Sequence, residues 1–291
     1  MLGMSISPVK APLARTALPC HHWNMRTFAL ALILSAILAA CAPLPRHVPD
    51  FAAKPFEPFN RADAVAVALR EWRLFGEHVA DAPSSDGPEP PASEKAERQP
   101  GLWQRVGEYW WIGLDPRAPE SDWTGKHDGR GQVFAASEDG RYAWSAAFIS
   151  YVMRLAGAGD RFPYSASHAT YVNAAAAGKS PILRAHPLEA YAPKPGDLVC
   201  LPRGWAQSMS YAELPASSLW PGHCAIVVEA GPGTISVVGG NVGDAVALTH
   251  VPVTPSGLLV DNSGTVLDPR HRWFVALEVL YDAEQEPASD E

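Results

Sequence analysis

The hydrophobic period of this chain changes once, and that change limits what it can fold into. Within residues 61–177 apolar side chains recur at helical spacing in four segments, interrupted by 81–100 and by an irregular, Pro- and Gly-punctuated stretch over 115–139; beyond Pro181 they come as short runs separated by Gly and Pro. Helices first and strands afterwards describe an α+β domain, because a βαβ sheet would interleave the two. Residues 61–75 carry Ala64, Val65, Ala68, Leu69, Trp72 and Phe75 on one helical face, with Arg and Glu on the other. Further helices are expected over 102–112, over 143–156 with Gly157 as a C-cap, and over 164–177. Strands are expected at 197–201, 224–229, 234–238, 245–251 and 273–279. Residues 81–100 are rich in Pro, Ser and Glu without a large apolar side chain, and read as a mobile loop.

The N-terminus has a different character. Its first forty residues hold three Lys or Arg and no Asp or Glu, and 28–40 is an unbroken apolar and small-residue run. That run is too short to span a bilayer and has the layout of a secretory leader, with Met25 as an alternative start. Leu38-Ala39-Ala40-Cys41 resembles the lipobox of bacterial lipoproteins, which makes Cys41 the lipidated first mature residue. Ala42, where an Asp would hold such a protein at the inner membrane, implies an outer-membrane anchor facing the periplasm. The organisation expected is therefore a leader (1–40), a Pro- and Ala-rich tether (41–58), a helical region (59–115), an α+β domain (116–281) and an acidic flexible tail (282–291).

Beyond residue 40 the chain carries 20 basic and 31 acidic side chains, a formal charge of −11. Such a surface does not track a phosphate backbone, so nucleic acid is excluded as a partner, and the lipid alone would hold the protein at a membrane. No Cys-x-x-Cys pair occurs and the ten His lack metal-ligand spacing, so no metal or other cofactor is expected. Cys200 and Cys224 both fall in expected strands; a disulfide and a pair of buried free thiols are equally compatible with that.

Three polar residues fall where chemistry is feasible. Ser145 lies in the first turn of its helix, near unpaired backbone N–H groups that could hold an oxyanion. A serine there needs a base to take its proton during attack, and His223, opening a strand after Gly222, is the candidate. If the hairpin at Gly231-Pro232-Gly233 is centred on Pro232, Asn241 lies opposite His223, to within a residue or two, and could orient its imidazole. His168 reads equally as a cleft residue and as a surface helix residue. Trp144 and Trp220 are candidates for the wall of a groove, with core packing the stronger reading of Trp144. Gly178-Lys179-Ser180 imitates a phosphate loop, but no strand precedes it and Pro181 stops the helix that should follow.

The order of four segments carries a resemblance. Tyr142-Ala143-Trp144-Ser145-Ala146-Ala147-Phe148-Ile149-Ser150-Tyr151 is followed by Pro195-Gly196-Asp197-Leu198-Val199, then Gly222-His223-Cys224-Ala225-Ile226-Val227-Val228, then Gly239-Gly240-Asn241. Residues 140–280 thereby resemble the papain-like cell-wall amidases and peptidases of the CHAP and NlpC type. The whole chain resembles a group of bacterial lipoproteins of unassigned function with serine at the same position. The resemblance implies a papain-like domain, N-terminal helices packed on a small antiparallel sheet, with Ser145 where the nucleophilic cysteine belongs, His223 as base and Asn241 as its orienter. It implies a hydrolase acting on an amide or ester of peptidoglycan. The alternative is a catalytically inactive protein that binds peptidoglycan or an envelope peptide, because a base tuned to a thiolate ion pair does not serve a hydroxyl.

Overall fold

A computed structural model describes residues 58–82 and 91–282. The leader, Cys41, nearly all of the tether, residues 83–90 of the expected loop and residues 283–291 of the expected tail lie outside the described residues. Four α-helices are described: α1 (Arg61–Leu74), α2 (Leu102–Gly113), α3 (Ser145–Leu155) and α4 (His168–Ala176). Six strands follow: β1 (Leu183–His186), β2 (Leu198–Pro202), β3 (Gly222–Gly231), β4 (Thr234–Val242), β5 (Ala245–Pro252) and β6 (Val275–Val279). They form one antiparallel sheet in the order β1-β6-β2-β3-β4-β5. The fold class is α+β, as the change of period predicts.

The helices lie against one face of the sheet. Ala64 and Ala68 of α1, Val106 and Trp110 of α2, Phe148 and Val152 of α3, and Tyr171 and Val172 of α4 share a core with Leu198, Ile226, Val238 and Leu277. The opposite face is covered by loop residues, with Leu188, Val253, Leu259 and Trp273 over Val199, Ala225, Val227 and Val237. Burial on both faces is why residues 224–228 are an uninterrupted apolar run without the alternation of a half-exposed strand.

Local chemistry starts each element. Asn60 caps α1, its side-chain oxygen accepting from the Ala62 N–H at 2.7 Å. The Gly231–Thr234 turn closes β3 on β4, and Ile226↔Val238 and Val227↔Val237 have the register expected of a hairpin centred on Pro232. A bulge between Val227 and Glu229 reconciles that register with the shorter turn. Cys200 and Cys224 face each other across β2 and β3 and are joined as a disulfide.

Four expectations are corrected. Strand β1 was not foreseen: Leu183-Arg184-Ala185-His186 has two apolar residues and is fixed by pairing with β6, Leu183 opposite Val279. Glu71, expected on the solvent face of α1, is fully buried. It accepts from Arg105 at 2.7 and 3.0 Å, from Arg70 at 2.7 Å and from the Tyr109 hydroxyl at 2.7 Å, binding α1 to α2. The expected mobile loop is ordered over 91–100, where Lys95 and Glu97 are buried and Lys95 pairs with Asp139 and Asp244. Asp282, first residue of the expected tail, is tied to Arg161 and to the Phe59 N–H.

Candidate functional site

Ser145 is the first residue of α3, and its position is set by the residue before it. Trp144 is fully buried, packed against Phe75 and Tyr109, and its indole N–H donates to the Glu97 carboxyl. Trp144 is therefore an anchor and not a groove wall. Burial drives the Glu97 pKa up to about 8, with the nearby Asp244 and Asp139 charges adding to it against the Trp144 hydrogen bond. From this anchor α3 points its N-terminal turn at the N-terminus of α4.

His168 opens α4, and its Nε2 lies 2.7 Å from Ser145 Oγ. Its Nδ1 is hydrogen-bonded to the hydroxyl of Tyr171, one turn on along the same helix. Tyr171 is fully buried against Phe162. Ser145 and His168 are themselves nearly closed off, at 8% and 4% exposure. Burial first, and the charge of Arg203 second, pull the His168 pKa down to about 3, so this imidazole is neutral at physiological pH. With the proton on Nδ1 donated to Tyr171, Nε2 is free to accept from Ser145. That is the hydrogen-bonding arrangement of a serine nucleophile, its base and an orienting group.

His223 stands next in line. It opens β3 opposite Leu201, is 3% exposed, and its ring centroid lies 5.5 Å from that of His168. Burial, then the charge of Arg203, hold its pKa well below the ordinary histidine value. Its Nδ1 is buried without a hydrogen-bond partner among the described residues. The hydrogen-bond partner of Ser145 is thus His168, the histidine whose sequence reading was evenly divided.

Residues 97–279, more than half of the chain, match the bacterial family described as "Uncharacterized protein conserved in bacteria (DUF2272)". The chain belongs to this family. No curated protein and no solved structure matches it. Neither the family match nor the α+β architecture extends that membership to the papain-like amidases.

In this DUF2272 chain the expected orienter does not meet its base. The β3–β4 ladder stops at Ile226↔Val238, and β4 bulges between Gly239 and Val242. Asn241 sits in that bulge with φ of 56°, a left-handed conformation that Asn tolerates, and no hydrogen bond joins it to His223 among the described residues. The two glycines before it have steric reasons. A Cβ at Gly239 would fall 2.8 Å from His223 Nε2, and one at Gly240 would fall 2.6 Å from the Phe148 side chain. Strand β4 is thereby wedged between the imidazole on one side and α3 on the other.

Trp220 is no groove wall either: it is buried edge-on against Phe274. A cleft of about 480 Å³ is lined instead by Trp110, Trp123, Tyr164 and Leu219, together with Ala143 and Ser167. Ala143 and Ser167 lie two residues before Ser145 and one before His168, so the cleft adjoins the start of both helices. The buried indole N–H of Trp110 has no hydrogen-bond partner among the described residues. The signal for these aromatics was Trp123, a large apolar side chain inside a Pro- and Gly-punctuated segment where none is needed for a helix.

Proposed function

We propose that this protein is a hydrolase of the cell envelope, with Ser145 as nucleophile and His168 as general base, on a papain-like scaffold in which serine stands for cysteine. The observation that carries the reading is the 2.7 Å contact between Ser145 Oγ and His168 Nε2 at the N-terminus of α3. Oγ attacks the carbonyl carbon of an amide or ester as its proton passes to Nε2. The N–H groups of the first turn, which have no partners four residues back, receive the developing oxyanion. The proton then goes to the leaving nitrogen or oxygen, and a water, deprotonated by the same imidazole, releases the acyl group. The leader over residues 1–40, followed by Cys41, supports a lipid anchor in the outer membrane, and peptidoglycan is then the substrate within reach. The Cys200–Cys224 disulfide suits an oxidising periplasm.

A second reading, a binding protein without turnover, is favoured by the burial of the pair and by the weak basicity of His168. One experiment separates them. The full chain, Ser145→Ala and His168→Gln are each incubated with purified peptidoglycan sacculi, and soluble fragments are identified by mass spectrometry. The hydrolase reading expects release by the native chain, none by Ser145→Ala, and a loss of about a hundred- to ten-thousandfold in His168→Gln. Sacculi that retain all three proteins and release nothing would establish the binding reading.

A further inference from the structure

On the sheet face away from the helices, beside the Ser145–His168 pair, lies a second polar site that the hydrolase reading does not use. Arg203, His223, His271 and Thr249 line a small cavity floored by Gly239. It offers about 20 Å³ to the centre of a water-sized group, enough for one water or one oxygen of a small anion, since a water needs roughly 10–15 Å³. The guanidinium of Arg203 has no hydrogen bond or ion pair among the described residues. An exposed arginine needs none, but a buried imidazole does, and His223 leaves Nδ1 unsatisfied inside the protein. The acid whose charge bears on His271 is Asp268, and it is already engaged by Arg270 at 2.8 Å and by the Trp273 indole at 3.1 Å. Cationic and neutral donors thus line one cavity with no acidic side chain in its lining among the described residues, in a chain whose net charge is −8.

We infer that this cavity binds a carboxylate, one oxygen entering against the His223 imidazole and the other held by the Arg203 guanidinium. A planar carboxylate fits this opening and the fork of an arginine better than a tetrahedral phosphate, which has one more oxygen to place. Because His223 is also the ring neighbour of His168 at 5.5 Å, the bound carboxylate stands beside the nucleophile's base. Resting on the hydrolase reading, this names the substrate class: an acyl compound, such as a short peptide, with a free carboxylate close to the bond that is cut. The binding itself does not depend on that reading.

Calorimetric titration of the full chain tests it, using N-acetylglycine, the neutral N-acetylglycinamide and inorganic phosphate as probes. Saturable binding of N-acetylglycine is expected in the native chain and equally in Ser145→Ala. It should weaken at least about tenfold in Arg203→Gln, be partly restored in Arg203→Lys, and be absent for the amide. Imidazole NMR signals of His223 and His271 should shift on titration. No saturable binding of N-acetylglycine, equal binding by Arg203→Gln, equal binding of the amide, or binding of phosphate alone would each overturn the inference. Carboxylate binding in a protein that leaves sacculi intact would defeat the hydrolase and spare this site; hydrolysis without carboxylate binding would do the reverse.

Discussion

Two kinds of buried titratable residue act oppositely in this protein. Glu71 has no exposure, and although burial works to raise its pKa, hydrogen bonds from Arg105, Tyr109 and Arg70 hold it below the ordinary carboxylate value. Glu71→Gln leaves Arg105 facing a neutral amide, and a loss of about 3 kcal/mol is expected as a lowered urea midpoint at unchanged slope. His168 and His223 are instead buried neutral. Both folded pKa values lie below 6.5, that of His168 at about 3, so below pH 6.5 the unfolded chain binds protons that the folded chain does not. Stability that is complete above 6.5 is therefore lost as pH falls, by about 1.4 kcal/mol per pH unit for each histidine. Glu97, with its pKa raised to about 8, has the opposite sign over part of the same window, so comparison with a variant isolates the histidine effect. Between pH 6.5 and about 5, His223→Gln should lose about 2 kcal/mol less than the native chain in denaturant titrations.

At the scale of elements, strand β4 is the part most narrowly specified. It carries the paired register to β3 and β5, and then passes so close to α3 that a Cβ at Gly240 would meet Phe148 Cβ at 2.6 Å and the Trp144 ring at 2.8 Å. Gly240→Ala must therefore displace α3 from the sheet, and with it Ser145. An overpacking cost of about 1–3 kcal/mol is expected, measurable as a fall in urea midpoint, together with a loss of any Ser145-dependent fragment release. The Gly-Gly-Asn segment was visible as a motif in the chain. Its meaning was not: the register estimate was correct at Ile226↔Val238, but a bulge two residues further on turned Asn241 away from the role expected of it.

Across the whole molecule, the family match begins at residue 97 while the core begins at Phe59. Phe59, Ala64 and Ala68 are fully buried in the same core as α3 and β3, and Glu71 joins α1 to α2. A chain starting at residue 97 would expose that apolar surface and take Glu71 away from Arg105 and Tyr109. It should fail to fold cooperatively, giving no sigmoidal urea transition where the full chain gives one; a cooperative transition in the truncated chain would make α1 an accessory element. Residues on both sides of position 115 share that core. All described residues fall within one compact unit.

What the sequence determined alone is what short-range physics controls. Among the described residues the apolar period placed the four α-helices and five of the six strands, and Ser145 at a helix start followed from Trp144-Ser145 opening an apolar helical run. Hairpin chemistry at Gly231-Pro232-Gly233 set the register near Ile226↔Val238. The tertiary structure alone decided which histidine meets Ser145, because α4 and β3 come together through packing of residues more than twenty positions from the serine. It alone buried Glu71 and Glu97, since a charged residue enters a core only when partners distant in sequence satisfy it, and no local pattern records those partners.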